Sequence, residues 1–172
     1  LIVITIIQVM FPKVHVSWLC ITLLSVLYFI YCNEMWHQLD GLTGLLSQNS
    51  YLNCTLETIK KDSVLIVFDV DDFKYINDTY GHLKGDACLV EVADCIKKAY
   101  SDYGYCYRIG GDEFIAFTAD MTPEDVEAAA AKMKADLEQH DYHVSMGWAF
   151  QNENQFLRYT ISLAEKAMYR DK

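Results

Sequence analysis

The chain has 172 residues, with 24 acidic and 14 basic side chains and a formal net charge of −10. Only one acidic and one basic residue precede residue 40, so the first part is nearly uncharged and the rest is strongly acidic. This length fits one ordinary domain and a short additional segment. An acidic domain lacks the basic surface that nucleic acid requires, so we expect no nucleic-acid partner.

Residues 1–32 form a hydrophobic segment, and residues 14–32 contain no Asp, Glu, Lys or Arg. As a helix those nineteen residues would span about 28 Å, close to the about 30 Å of a bilayer core. We therefore predict a transmembrane helix over 14–32, a linker over 33–39 and a soluble domain over 40–172. The alternatives are a buried core helix and a signal peptide. The predicted location is the inner (cytoplasmic) membrane, with the domain in the cytoplasm.

The domain then alternates between strand and helix patterns. Residues 64–70 form a mostly apolar run of strand length, which predicts a buried central strand. Residues 105–109 and 114–118 predict two strands of a hairpin whose tip is residues 110–113. Residues 143–150 predict a further strand.

Three helices are predicted from apolar residues at helical spacing. The first is capped by Asp86. The second begins at Thr122 with a capping-box pattern and has Pro123 at its first position. The third covers residues 161–170. Together these elements predict an α/β sandwich, in which helices cover a sheet that contains an antiparallel hairpin.

Carboxylates are concentrated where the predicted central strand ends. Strand alternation places Asp69 and Asp71 on one face and Asp72 on the other. Hard cations such as Mg²⁺ take a few carboxylate or carbonyl oxygens and fill their other positions with water and phosphates. A solvated acidic turn is the alternative.

The hairpin tip adds two more carboxylates, Asp112 and Glu113. Gly110 and Gly111 permit positive φ and leave space for a phosphate near the backbone. A plain tight turn with exposed acids is the alternative. Two acidic strand ends in one α/β unit indicate a pocket for metal-assisted phosphoryl or nucleotidyl transfer.

Four strings carry a resemblance to a known family: DGLTGL (residues 40–45), FDVDDFKYIND (68–78), GHLKGD (81–86) and RIGGDEF (108–114). In their order and spacing they resemble the GGDEF family of diguanylate cyclases. The resemblance implies a mixed five-stranded sheet flanked by helices, akin to nucleotidyl cyclases and polymerase palm domains. It also implies that a homodimer condenses two GTP into cyclic di-GMP and two pyrophosphates, with Mg²⁺ or Mn²⁺ assisting attack of a 3′-hydroxyl on an α-phosphate.

The resemblance also implies roles for individual residues. Asp69, the Val70 carbonyl and Asp112 would bind metal. Asp112 and Glu113 would be catalytic, with Glu113 helping to deprotonate the ribose 3′-hydroxyl. The substrate-binding residues would be Asn77 and Asp86 on guanine, Phe73 near the base, and Lys74 and Lys172 on phosphate.

Each role has a plainer alternative, and the chain departs from the family at several places. Phe73 fits core packing as well as it fits contact with a base. The alternative for Lys74 is an exposed, solvated lysine. The alternative for Arg108 is a surface charge at a strand end, and we place Arg108 outside the core site. The closing AEKAMYRDK resembles a family pattern similar to ADxALYxAK. The positions of an inhibitory RxxD pair hold Ser101 and Gly104, so we expect product feedback to be lost.

Two other functions remain open from the sequence. A catalytically weak GGDEF module would act as a nucleotide- or protein-binding membrane regulator, and a broken signature would indicate it. An enzyme with altered base choice would make a mixed cyclic dinucleotide, and replacement of Asp86 would indicate it. The intact signature and the retained Asp86 favour the diguanylate cyclase.

Overall fold

The computed structural model describes residues 2, 6, 9–10, 16–36, 38–57, 63–151 and 156–172. The chain divides into two compact units, Leu1–His37 and Gln38–Lys172. The first unit contains helix α1 (Val16–Trp36), which includes the start of the predicted linker.

The prediction of a transmembrane helix over 14–32 is not supported. Among the described residues, no helix is both long enough and apolar enough to cross a membrane. Residues 14 and 15 of the predicted span, and most of the hydrophobic segment before them, lie outside the described residues. The location at the inner membrane stays a prediction.

The second unit alternates helices and strands along the chain. In order, its elements are α2 (Gln48–Glu57), β1 (Ser63–Val70), α3 (Phe73–Tyr80), α4 (His82–Tyr100), β2 (Gly104–Arg108), β3 (Glu113–Ala119), α5 (Pro123–Glu138), β4 (Val144–Phe150) and α6 (Leu157–Asp171).

The four described strands form one sheet in the order β2-β3-β1-β4, and every neighbouring pair is antiparallel. The α/β sandwich is confirmed, but the prediction of a mixed, five-stranded sheet is wrong. Strands β1 and β2 run in one direction and β3 and β4 in the other, so strands of the same direction are never neighbours among these four.

The central strand β1 buries both of its faces, as its apolar run predicted. Ile66 and Phe68 point into the larger core cluster, which α4 and α5 cover. Leu65 and Val67 point into the smaller cluster on the opposite face, where α6 packs and Tyr51 of α2 joins the edge. The sheet is therefore a middle layer between helices.

A glycine sets the position of α6. A Cβ on Gly147 of β4 would lie 2.1 Å from the Ala164 carbonyl oxygen and 2.2 Å from the Met168 nitrogen. The helix backbone therefore rests directly on the strand. This close packing carries the end of α6 to the end of β1, where Lys172 contacts Asp69.

The predicted cap of the second helix is confirmed. Thr122 and Asp125 form a reciprocal capping box, and Pro123 occupies the first turn of α5. The predicted cap at Asp86 is wrong, because α4 begins at His82 after Gly81 and Asp86 lies inside the helix. Gly81 has a φ of 84°, so the change of direction between α3 and α4 occurs there.

Candidate active site

The predicted acidic strand ends lie side by side. Asp69 of β1 is the register partner of Glu113 of β3. The next residue, Val70, donates its N–H to the carbonyl of Asp112 at 3.2 Å. The antiparallel pairing of β1 with β3 therefore brings together the three carboxylates and the Val70 backbone that the sequence analysis assigned to metal and catalysis.

Lys172 supplies a cation to this cluster. Its Nζ donates to Asp69 Oδ1 at 2.5 Å, although 103 residues separate the two in the chain. This hydrogen bond, followed by the negative charges of Asp69, Asp71 and Asp112, raises the pKa of Lys172. The ammonium group therefore lies within the field of the carboxylates at the end of β1.

Glu113 experiences the same accumulation of charge. Partial burial, and then the negative charges of Asp112 and Asp69, raise the pKa of Glu113. Glu165 on α6 acts in the same direction, and Lys172 opposes them. Carboxylates that repel one another at the ends of adjacent strands form an environment that favours cations.

Asp71 is held by the neighbouring strand. Ser145 donates its hydroxyl to Asp71 Oδ1 at 2.6 Å, and the Asp71 N–H donates to the His143 carbonyl at 3.0 Å. Ser145 is also the register partner of Asp69. Asp72 adopts a left-handed conformation with a φ of 53° and starts α3. The chain therefore leaves the sheet directly after Asp69 and Asp71 and enters α3 at Asp72.

Arg108 fixes the turn at the hairpin tip. Its Nη2 and Nε donate to the Gly111 carbonyl at 2.7 and 3.3 Å, and its Nη1 donates to Asp40 Oδ1 at 3.0 Å. Neither Gly110 nor Gly111 has the positive φ that their sequence permits, since the positive-φ glycines of the described chain are Gly44 and Gly81. Hydrogen bonds from Arg108 hold the turn instead.

Asp40 completes this contact. It accepts hydrogen bonds from the N–H and hydroxyl of Thr43 at 2.9 and 2.6 Å. Partial burial opposes ionisation, but the hydrogen bonds from Thr43 and Arg108 lower the pKa of Asp40. Arg108, which the sequence analysis placed outside the core site, therefore holds the turn next to Asp112 from outside the carboxylate cluster. The first and fourth sequence strings contain the two partners of this contact, Asp40 and Arg108.

Asn77 and Asp86, the predicted guanine-binding pair, lie on the consecutive helices α3 and α4. A Cβ on Gly85 would lie 2.1 Å from Asn77 Oδ1. The Asn77 amide therefore rests on Gly85, beside Asp86 in the chain. The carbonyl of Asn77 accepts the N–H of Gly81 at 2.9 Å, which ties this position to the turn between the helices.

Phe73 and Lys74 begin α3. Phe73 is half-buried and packs against the larger core cluster, whereas Lys74 is exposed. The core-packing alternative therefore applies to Phe73. Its role near a base stays a prediction, as does the phosphate role of Lys74.

The sequence of the chain is similar to those of known proteins. A sequence model described as "Diguanylate cyclase, GGDEF domain" matches residues 37–172. The chain belongs to this GGDEF family. The probable diguanylate cyclase DgcI of Escherichia coli K12 is 33% identical over 136 residues, covering 78% of this chain and 31% of that protein. Diguanylate cyclase DgcS of Shewanella oneidensis is 32% identical over 145 residues, and the match covers 77% of this chain and 49% of that protein.

This GGDEF chain spans about a third to a half of the length of these curated relatives. Among solved structures, the coiled coil and GGDEF domain of DgcB from Caulobacter crescentus in complex with c-di-GMP has a TM-score of 0.76 at 21% identity. The match covers 89% of this chain and 91% of that one. It establishes the GGDEF fold of the second unit.

Proposed function

We propose that the chain is a diguanylate cyclase that condenses two GTP molecules into cyclic di-GMP and two pyrophosphates. The observation that supports this most is the meeting of Asp69 with Asp112 and Glu113 at one end of paired strands, under the ammonium group of Lys172. Membership of the GGDEF family and the intact signature support the same reaction.

Diguanylate cyclases of this family generally use divalent metal ions, and the donor set here fits one. The Asp69 and Asp112 carboxylates and the Val70 carbonyl are hard oxygen donors at adjacent strand ends. Among the described residues, no group of three or more His, Cys, Asp or Glu is arranged to hold a metal. Mg²⁺ binds through one or two carboxylates and completes its shell with water and substrate phosphates, so two carboxylates and a carbonyl would suffice. A bound metal would neutralise the charge that develops on the phosphates.

The protein's own residues then have separable tasks. Lys172 and Lys74 bind the triphosphate. Glu113 accepts the proton of the attacking 3′-hydroxyl. Arg108 holds the backbone of the hairpin tip in place during these steps.

Asn77 and Asp86 select guanine. Their side chains offer acceptors for the N1 and N2 protons of guanine and a donor for its ring acceptors. Adenine would leave these groups unpaired, so GTP is strongly preferred over ATP. The reaction joins two nucleotides symmetrically, and we propose that two chains pair with one GTP on each.

The deciding experiment incubates the purified chain with GTP and Mg²⁺ and resolves the products by chromatography. We expect cyclic di-GMP from the wild type and at least about a hundredfold lower rate from Asp69→Asn and Asp112→Asn, since each removes a charged ligand. Asp102→Asn, in an exposed turn, is the matched control and retains activity. Near-normal turnover by either folded ligand variant would exclude the proposed reaction.

A further inference from the structure

We propose that Asp171 is a positioning residue, which ties the end of α6 to the outer edge of β4 and so directs Lys172 toward the bound triphosphate. The proposal rests on the function proposed above and adds a residue to that site. Asp171 directly precedes Lys172, so a constraint on one limits the reach of the other.

The tether is built from two hydrogen bonds. Asp171 Oδ2 accepts the backbone N–H of Met146 at 3.0 Å and Lys134 Nζ at 2.6 Å. Met146 belongs to β4, which is the last strand in the sheet order and pairs only with β1 among the four strands. Asp171 therefore takes the place of a neighbouring strand at this N–H group.

The same contact joins the two helix layers. Lys134 lies on α5, which covers one face of the sheet, and Asp171 lies at the end of α6, which covers the other. The Lys134 and Asp171 side chains are 36% and 38% exposed, so their ion pair alone contributes little. The hydrogen bond to the Met146 backbone contributes more to the position of Asp171, because β4 is itself held by backbone hydrogen bonds to β1.

The tether shares a cleft with Asp71, which follows the end of β1. Asp171 and Asp71 both line a cleft of about 240 Å³. Partial burial opposes ionisation of Asp171, but the hydrogen bonds from Lys134 and Met146 lower its pKa. The carboxylate is therefore charged at neutral pH.

The test measures binding without turnover. With Mg²⁺, 3′-deoxy-GTP presents the full triphosphate but has no 3′-hydroxyl to react. We expect Asp171→Ala to raise its dissociation constant about fivefold and Lys134→Met about twofold, because the Met146 contact survives in the second. Asp171→Asn keeps an acceptor oxygen, so it should change the dissociation constant of 3′-deoxy-GTP least of the three variants. Asp102→Ala is the matched control.

A double-mutant cycle separates positioning from general stability. If Asp171 acts through Lys172, Asp171→Ala weakens binding in the wild type but adds nothing in a Lys172→Met background. GMP, which lacks the outer phosphates, should bind Asp171→Ala and the wild type equally. Additive losses, or equal losses for GMP and 3′-deoxy-GTP, would overturn the proposal.

A ligand-free measurement tests the tether itself. Hydrogen exchange of the Met146 amide should become about tenfold faster in Asp171→Ala, because its acceptor is gone. The Gln151 amide, bonded to the Ser63 carbonyl at 2.8 Å, should not change. Unchanged Met146 exchange would disprove the tether. If Met146 responds but the wild type binds no 3′-deoxy-GTP, the tether stands and the diguanylate cyclase function fails.

Discussion

Arg108 and Asp40 are 68 residues apart in the chain, and their contact holds the backbone of the GG turn. Their side chains are 14% and 24% exposed, so water screens this pair less than a surface ion pair. Arg108 Nε and Nη2 donate to the carbonyl of Gly111, which precedes the candidate metal ligand Asp112. A contact outside the carboxylate cluster therefore determines the position of one of its members.

Asp40→Asn should show this contact through the pH dependence of stability. A carboxyl whose pKa is lowered by folding adds stability above the ordinary Asp pKa of about 3.9, and this is lost as pH falls through the folded pKa. We expect the variant to be about 1–2 kcal/mol less stable at pH 7 and the difference to shrink below about pH 4. Urea unfolding at pH 7, 5 and 3 measures it. A difference independent of pH would contradict the assignment.

Gly85 should control base selection through its contact with Asn77. A methyl group at this position would displace the Asn77 amide, which a Cβ would approach to 2.1 Å. We expect Gly85→Ala to lower kcat/KM for GTP about tenfold or more and to narrow the preference over ATP, since a displaced amide no longer pairs with guanine. Gly41→Ala is the control, because its Cβ would meet nothing within 4 Å. An unchanged GTP/ATP ratio in folded Gly85→Ala would exclude this role.

At the scale of elements, the placement of α6 on β4 depends on the close approach at Gly147. We expect Gly147→Ala to destabilise the domain by about 1–3 kcal/mol, because the helix backbone must move away from the strand. The movement withdraws Lys172 from Asp69, so nucleotide affinity should fall together with stability. Urea unfolding and binding of 3′-deoxy-GTP measure the two effects, with Gly41→Ala as the reference. If the Gly147→Ala variant were as stable as the wild type, α6 would not be held by the close approach at Gly147.

Elements with a strong local pattern were predictable from the sequence. The apolar run of β1, the GG turn between β2 and β3 and the capping box at Thr122 each specify structure through neighbouring residues. The short helices α2 and α3 were not predicted. Phe73 and Ile76 of α3 are half-buried and pack against the larger core cluster, but eight residues are too few to show a clear helical period in the sequence.

The site was predictable where motifs carried it and not where distant contacts complete it. The positions of Asp69 and Asp112 follow from strand ends and a turn. The bonds from Arg108 to Asp40, from Ser145 to Asp71 and from Met146 to Asp171 join residues 68, 74 and 25 positions apart. Periodicity within one element carries no information about such pairs. The fifth strand was expected from the resemblance alone and is absent from the described residues.

At the scale of the whole molecule, added cyclic di-GMP should not slow the enzyme at micromolar concentration. Ser101 and Gly104 stand at the positions of the inhibitory Arg and Asp, and neither offers the charged, two-pronged hydrogen bonding with which Arg and Asp bind phosphate and guanine. Initial rates with and without added product test this. A relative that carries the RxxD pair serves as the positive control. Strong inhibition of this chain would reveal a product site elsewhere on its surface.

The active species should be a pair of chains, because the described part of one domain brings together one candidate metal and catalytic site and the reaction joins two nucleotides. Closed two-fold pairing is the commonest way to bring two identical sites face to face. We expect the specific activity to rise with protein concentration, and fusion of a dimerising coiled coil to the full chain to raise it at low concentration by increasing the local concentration of the partner. Fusion of the same coiled coil to Asp69→Asn should give no activity. A specific activity that is independent of concentration and unaffected by forced pairing would contradict the dimeric mechanism.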